Sequence, residues 1–106
     1  MRKNDLLTIA DKTFERCLNT LQKKNADYAG NENQTNDALR NFKLVSYLNI
    51  TSTTSGILVR LCDKLSRISN IYNRVEEVKE ETVFDTIEDA INYLIILKAA
   101  LLEEKK

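Results

Sequence analysis

Apolar residues recur at three- and four-residue intervals along most of this chain. Leu6, Ala10, Phe14, Cys17, Leu18 and Leu21 form one stripe, which predicts a helix from about Leu6 to Lys24, with Asn4 or Asp5 as its cap. Ala38, Phe42, Val45 and Leu48 predict a short helix from about Asp37 to Leu48, capped by Thr35 or Asn36. Ile57, Leu61, Leu65, Ile68, Tyr72 and Val75 predict a third from about Ser55 to Val78. Ile87, Ala90, Ile91, Leu94, Leu97 and Leu101 predict a fourth from about Thr86 to Glu103. The intervening stretches are polar. Asn25 to Asn36, which holds Gly30, reads as a loop; Asn49 to Ser55 is a Ser/Thr/Asn-rich linker with several capping residues; Glu76 to Glu81 reads as a charged turn. The expected fold is all-α, an antiparallel bundle of about four helices in a single domain spanning residues 1–106.

Composition agrees. Among 106 residues there is no proline and only two glycines, Gly30 and Gly56, so little interrupts a helix. The chain is 42% hydrophobic and 30% charged, as soluble globular proteins are. Its sixteen basic and sixteen acidic residues balance, which argues against general nucleic-acid binding. The absence of histidine excludes a histidine base, a Ser-His-Asp triad and a histidine-ligated zinc. Cys17 and Cys62 fall among apolar helical positions and read as two buried thiols rather than a disulfide. Neither a signal-peptide core nor a membrane-length apolar run is visible, so the expected location is the cytoplasm, that of the host if the gene is phage-borne. On the fourth helix Ile96 sits apart from the main stripe; this second apolar side predicts a homo-oligomer.

Two polar clusters repeat at helical spacing. On the third helix Arg60, Asp63, Lys64 and Arg67 lie away from the apolar stripe. Guanidinium forks match phosphate oxygens, although an Asp63–Arg67 ion pair on a solvated face is the plainer reading of the same residues. On the fourth helix Asp85, Thr86, Glu88, Asp89, Asn92 and Tyr93 form the other cluster. Carboxylates one turn apart suit a hard cation such as Mg²⁺; equally, Asp85 or Thr86 could cap the helix and the acids favour its positive end. A third candidate is Lys24 to Gly30. There Tyr28 could stack on a base, or simply pack where Gly30 ends a helix.

Taken in order, KNADYAG, NF (Asn41-Phe42), GILVRLCDKLSRISN and DTIEDAINYLI resemble the phage and bacterial family called nucleotide modification associated domain 1. That family is placed among the MazG-like all-α nucleoside triphosphate pyrophosphatases, and the resemblance covers about residues 18 to 97. It implies that Asp27 and Tyr28 belong to a loop motif, Arg60, Asp63, Lys64 and Arg67 to an RxxDKxxR motif, and Asp85, Thr86, Asp89, Asn92 and Tyr93 to a DTxxDxxNY motif. By this resemblance Asp63, Asp85 and Asp89 would be the catalytic, Mg²⁺-holding carboxylates. Asp27, Tyr28, Arg60, Lys64, Arg67, Asn92 and Tyr93 would hold the nucleotide. Two departures stand out. Ser66 and Arg67 occupy the places of a second carboxylate on the third helix, and Ala29 separates Tyr28 from the glycine.

Three functions follow as expectations. One is a Mg²⁺-dependent nucleotide pyrophosphatase. Another is a non-catalytic phage protein that sequesters a nucleotide, such as a cyclic signal of host defence. The third is a helical interaction module.

Overall fold

The structure is a computed structural model that describes residues 1–29, 37–73 and 80–105, without the side chains of 25–29, 72–73 and 80–82. Among the described residues it is all-helical with no strand: α1 (Lys3–Ala29), α2 (Arg40–Tyr47), α3 (Thr53–Asn73) and α4 (Glu80–Glu104).

Two helices are longer than the polar composition of their ends suggests. α1 runs through Ala29, so residues 25–29 are helix and not loop. α4 starts at Glu80, so Glu80 and Glu81 are helical rather than part of a turn, and Asp85 and Thr86 sit inside the helix rather than at its cap. Neither segment contains a glycine or proline, and charged residues alone do not stop a helix. The expected caps Thr35 and Asn36 lie outside the described residues. At the start of α2 the Leu39 N–H donates instead to Asp37 Oδ1 at 2.9 Å. α3 begins two residues before the expected Ser55, capped by Ser52, whose Oγ accepts the Ser55 N–H at 3.1 Å.

The α2–α3 turn is a Schellman closure. The Asn49 N–H reaches the Ser46 carbonyl and the Ile50 N–H the Val45 carbonyl, while Asn49 takes φ 57°. Asparagine tolerates this left-handed geometry better than most side chains. The turn brings α2 so close to α3 that a Cβ on Gly56 would stand 2.8 Å from Val45 Cγ2, which explains the glycine inside a helix.

α3 and α4 form an antiparallel hairpin, fixed at one level by Lys64–Asp89 and at the other by the Thr54 hydroxyl donating to Glu104 Oε1 at 2.8 Å. α2 lies across one side of this hairpin and α1 packs on α4. The core joins Leu39, Phe42, Ile57 and Ala100, with Tyr93, Ile96 and Leu97 packed against it. Ile96 is thus half-buried inside the protomer, which removes it as the reason for expecting a second subunit.

The predicted stripes are buried only in part. Cys17 is buried on α1, but Leu6, Phe14 and Leu18 are exposed; on α3 Ile57 and Leu61 are buried and Leu65 is exposed; on α4 Ala90 is buried and Leu94 exposed. Cys62 is exposed, not buried, and both thiols are free. Tyr72 and Val75 fall outside the described side chains. Among the described residues no helix is long and apolar enough to cross a membrane.

Lys43 ties α2 to both of its neighbours. Its ammonium donates to Asp37 at 2.6 Å and to Glu103 at 2.5 Å. These bonds raise the Lys43 pKa far above its ordinary value, and the bond from Lys43, helped by the Leu39 N–H, lowers that of Asp37. The signs set a pH window. A lowered carboxylate contributes stability above its unfolded value of about 3.9, lost as pH falls through the folded value; a raised ammonium contributes below about 10.4, lost as pH rises through the folded value. Lys43→Met is expected to cost about 0.5–1 kcal/mol near neutrality, since the cluster is partly solvated. Urea unfolding at graded pH should show that difference shrinking below pH ~4.

Candidate functional site

A cavity of about 320 Å³ opens between α1, α2 and α4. Its apolar wall includes Leu18, Leu21, Leu39, Phe42 and Ile96; its polar groups are Gln22 and Lys24 from α1 and Asp89, Asn92 and Tyr93 from α4. Helical spacing explains the α4 wall. Asp89, Asn92, Tyr93 and Ile96 recur every three or four residues and so share one side of the helix.

Asn92 is only 6% exposed although polar. Its Nδ2 donates to the Cys17 carbonyl at 3.3 Å, joining α4 to α1, while its Oδ1 has no hydrogen-bond partner. An unpaired buried acceptor costs free energy comparable to a lost hydrogen bond, so such an atom in native protein calls for an explanation. Two neighbouring contacts hold the same junction: Cys17 Sγ lies 3.8 Å from the Glu88 carbonyl and Arg16 pairs with Glu88 at 3.0 Å. Burial, with the Glu88 charge adding to it, pushes the Cys17 thiol above its ordinary value, so this cysteine is a packing residue and not a nucleophile.

Phe42 is held from two directions. The Tyr93 ring meets it edge-on, with centroids 6.4 Å apart at 86°, and the Arg60 guanidinium lies 4.9 Å from its centroid. Arg60 is therefore engaged on the aromatic wall rather than standing as an isolated phosphate fork. One turn on, Lys64 Nζ reaches Asp89 Oδ2 at 3.2 Å, with the lysine side chain 17% exposed. Arg67 follows on the same side of α3 and pairs with Asp63 at 3.3 Å, both groups well exposed. Arg60 and Lys64 thus border the cavity behind Phe42 and Asp89 without lining it, and Arg67 lies further along α3.

The structure therefore brings Asp89, Asn92 and Tyr93 into one cavity and sets Arg60 and Lys64 along its edge. Asp63 faces Arg67, and Asp85 is exposed. Asp27 and Tyr28 stand in the last turn of α1, just beyond Lys24, with side chains outside the described residues. Thr86 is buried within α4. Sequence reasoning missed Leu18, Leu21 and Gln22 as walls of the site, although Lys24, the first residue of the third candidate segment, does line it. The signal was present in the continuous run from Leu18 into the KNADYAG segment, had residues 25–29 been read as helix.

The donor set does not fit Mg²⁺. Asp63, Asp85 and Asp89 do not converge, and among the described residues no three His, Cys, Asp or Glu side chains gather as a metal site. Asp89 already has an ammonium as its partner, and a divalent ion there would face the Lys64 charge.

Comparison with family models, with curated proteins and with solved structures finds no match to this chain.

Proposed function

We propose that this chain is a nucleotide-binding protein that takes the base of its ligand into the cavity between α1, α2 and α4, without a metal ion. The observation that carries this reading is the α4 wall: a buried asparagine with an unpaired acceptor, beside a carboxylate and a tyrosine, in a mostly apolar cavity. Ligand sites have this character, mostly hydrophobic and aromatic with a few convergent polar groups, and their volumes begin at about 300 Å³. The size suits a single ring system. A flat heterocycle gains from the Phe42 and Tyr93 rings, and its N–H groups would supply the donor that Asn92 Oδ1 lacks.

The phosphate would extend toward Lys64 at the cavity edge and Arg67 beyond it on α3, where charge-assisted bonds are strong. The resemblance to the MazG-like nucleotide enzymes supports the ligand class. The missing second carboxylate at Ser66-Arg67 and the Lys64–Asp89 pair favour holding a nucleotide over hydrolysing one.

Calorimetric titration of mononucleotides into variants tests this. Asn92→Leu removes the unpaired acceptor at similar volume and should weaken binding by about 1–3 kcal/mol. Arg67→Ala should weaken a nucleoside phosphate by about 1–3 kcal/mol while leaving the free nucleoside unchanged. Asp89→Asn should leave affinity nearly intact, because no metal depends on that charge. Loss of binding in Asp89→Asn that appears only with Mg²⁺ present would instead support the pyrophosphatase reading. Unchanged affinity in all three variants would remove this cavity from consideration.

A further inference from the structure

We infer that the base taken into the cavity is guanine, read by Asp89 and Asn92 side by side on the α4 wall; the inference rests on the nucleotide reading of this cavity. The Asn92 amide has one usable orientation. Its Nδ2 donates to the Cys17 carbonyl, a group that can only accept, so turning the amide over would set oxygen against oxygen. Oδ1 is thereby fixed as an acceptor, and in a side chain 6% exposed it has no hydrogen-bond partner. Asp89 stands three residues earlier, one turn away on the same side of α4, and lines the same cavity. Paired with the Lys64 ammonium, its carboxylate is acceptor-only, and the bond from Lys64 to Oδ2 uses one of about four lone-pair sites.

Two neighbouring acceptors select a ligand with two neighbouring donors. Guanine alone among the common bases carries them, N1–H beside the 2-amino group. Adenine and cytosine offer an amine next to a ring nitrogen that accepts, and uracil and thymine offer one N–H between two carbonyls. Each of these would turn a lone pair toward Asp89 or Asn92, and an unmatched polar group beside the buried amide is costly. With N1–H on the Asp89 carboxylate and the 2-amino group on Asn92 Oδ1, both acceptors are satisfied. The O6 carbonyl then takes a donor, and Lys24 brings an ammonium to the same cavity from α1. Phe42 and Tyr93 supply the wall against the ring face.

Calorimetric titration of guanosine, inosine and adenosine 5′-monophosphates into the wild-type chain tests the assignment without any variant. Inosine keeps N1–H and O6 and lacks only the 2-amino group. Its monophosphate should bind about ten- to a hundredfold more weakly than the guanosine one, and adenosine monophosphate, whose N1 is an acceptor, more weakly still. Asn92→Leu should close the gap between the guanosine and inosine ligands. Asp89→Asn keeps an acceptor oxygen in place and should preserve it. The ratio of two ligands is read in one protein, so a loss of folded material does not imitate the effect. Equal affinity for all three ligands in the wild-type chain, with Asn92→Leu still weakening each, would overturn the guanine assignment and leave the nucleotide site standing. A guanosine preference that survives in Asn92→Leu would also overturn it. No binding of any mononucleotide would overturn both readings together.

Discussion

Phe42→Ala is expected to lower the free energy of unfolding by about 3–5 kcal/mol, toward the lower end of that range. The ring is 6% exposed, and its removal takes away the edge-on contact with Tyr93, the Arg60 cation and the burial of an aromatic face. One side of Phe42 already borders the cavity, so fewer neighbours lose packing than around a fully enclosed ring. Urea unfolding followed by circular dichroism reads the change. Phe42→Leu, which keeps most of the volume, should retain the fold and still weaken nucleotide binding, because the aromatic wall is gone. Equal affinity in Phe42→Leu and wild type would show that the ring serves packing alone.

Ile57→Ala should cost about 2–5 kcal/mol, here toward the upper end. Ile57 is 0% exposed, sits where α2, α3 and α4 meet and does not line the site cavity, so its removal opens a void in closely packed material. Against a total stability of about 5–15 kcal/mol the loss is large. Measured at one chain concentration, the midpoint should fall with little change in slope. Ligand affinity of the fraction that remains folded should be unchanged, which separates Ile57 from Phe42.

Periodicity made the helices legible and left their edges less so. The α3 and α4 stripes were readable because apolar residues on one side of a helix are a property of the sequence alone. Which side a second helix covers is not. Leu65 and Leu94 belong to predicted stripes yet face outward, while Asn92, assigned to a polar side, is buried against the Cys17 carbonyl. α1 and α4 run past their expected ends because residues 25–29 and Glu80-Glu81, though rich in polar side chains, contain no helix breaker. For the site, motif spacing singled out Asp89, Asn92 and Tyr93, which do share a cavity. Three-dimensional pairing decided the rest: Lys64 meets Asp89 across the hairpin, and Asp63 turns to Arg67 within its own helix. Cys62 shows the same limit, since an apolar sequence neighbourhood predicted burial and the neighbouring helices lie elsewhere.

Thermal unfolding of the wild-type chain with a panel of mononucleotides, each run in EDTA and again in Mg²⁺, tests the central claim most directly. At one hundred times its dissociation constant a single-site ligand adds about 2.7 kcal/mol, a rise in Tm of roughly 10 °C or more for a domain of this size. The metal-free nucleotide site predicts that rise for at least one nucleotide, equal in EDTA and in Mg²⁺. A rise confined to Mg²⁺, or none with any nucleotide, would contradict it.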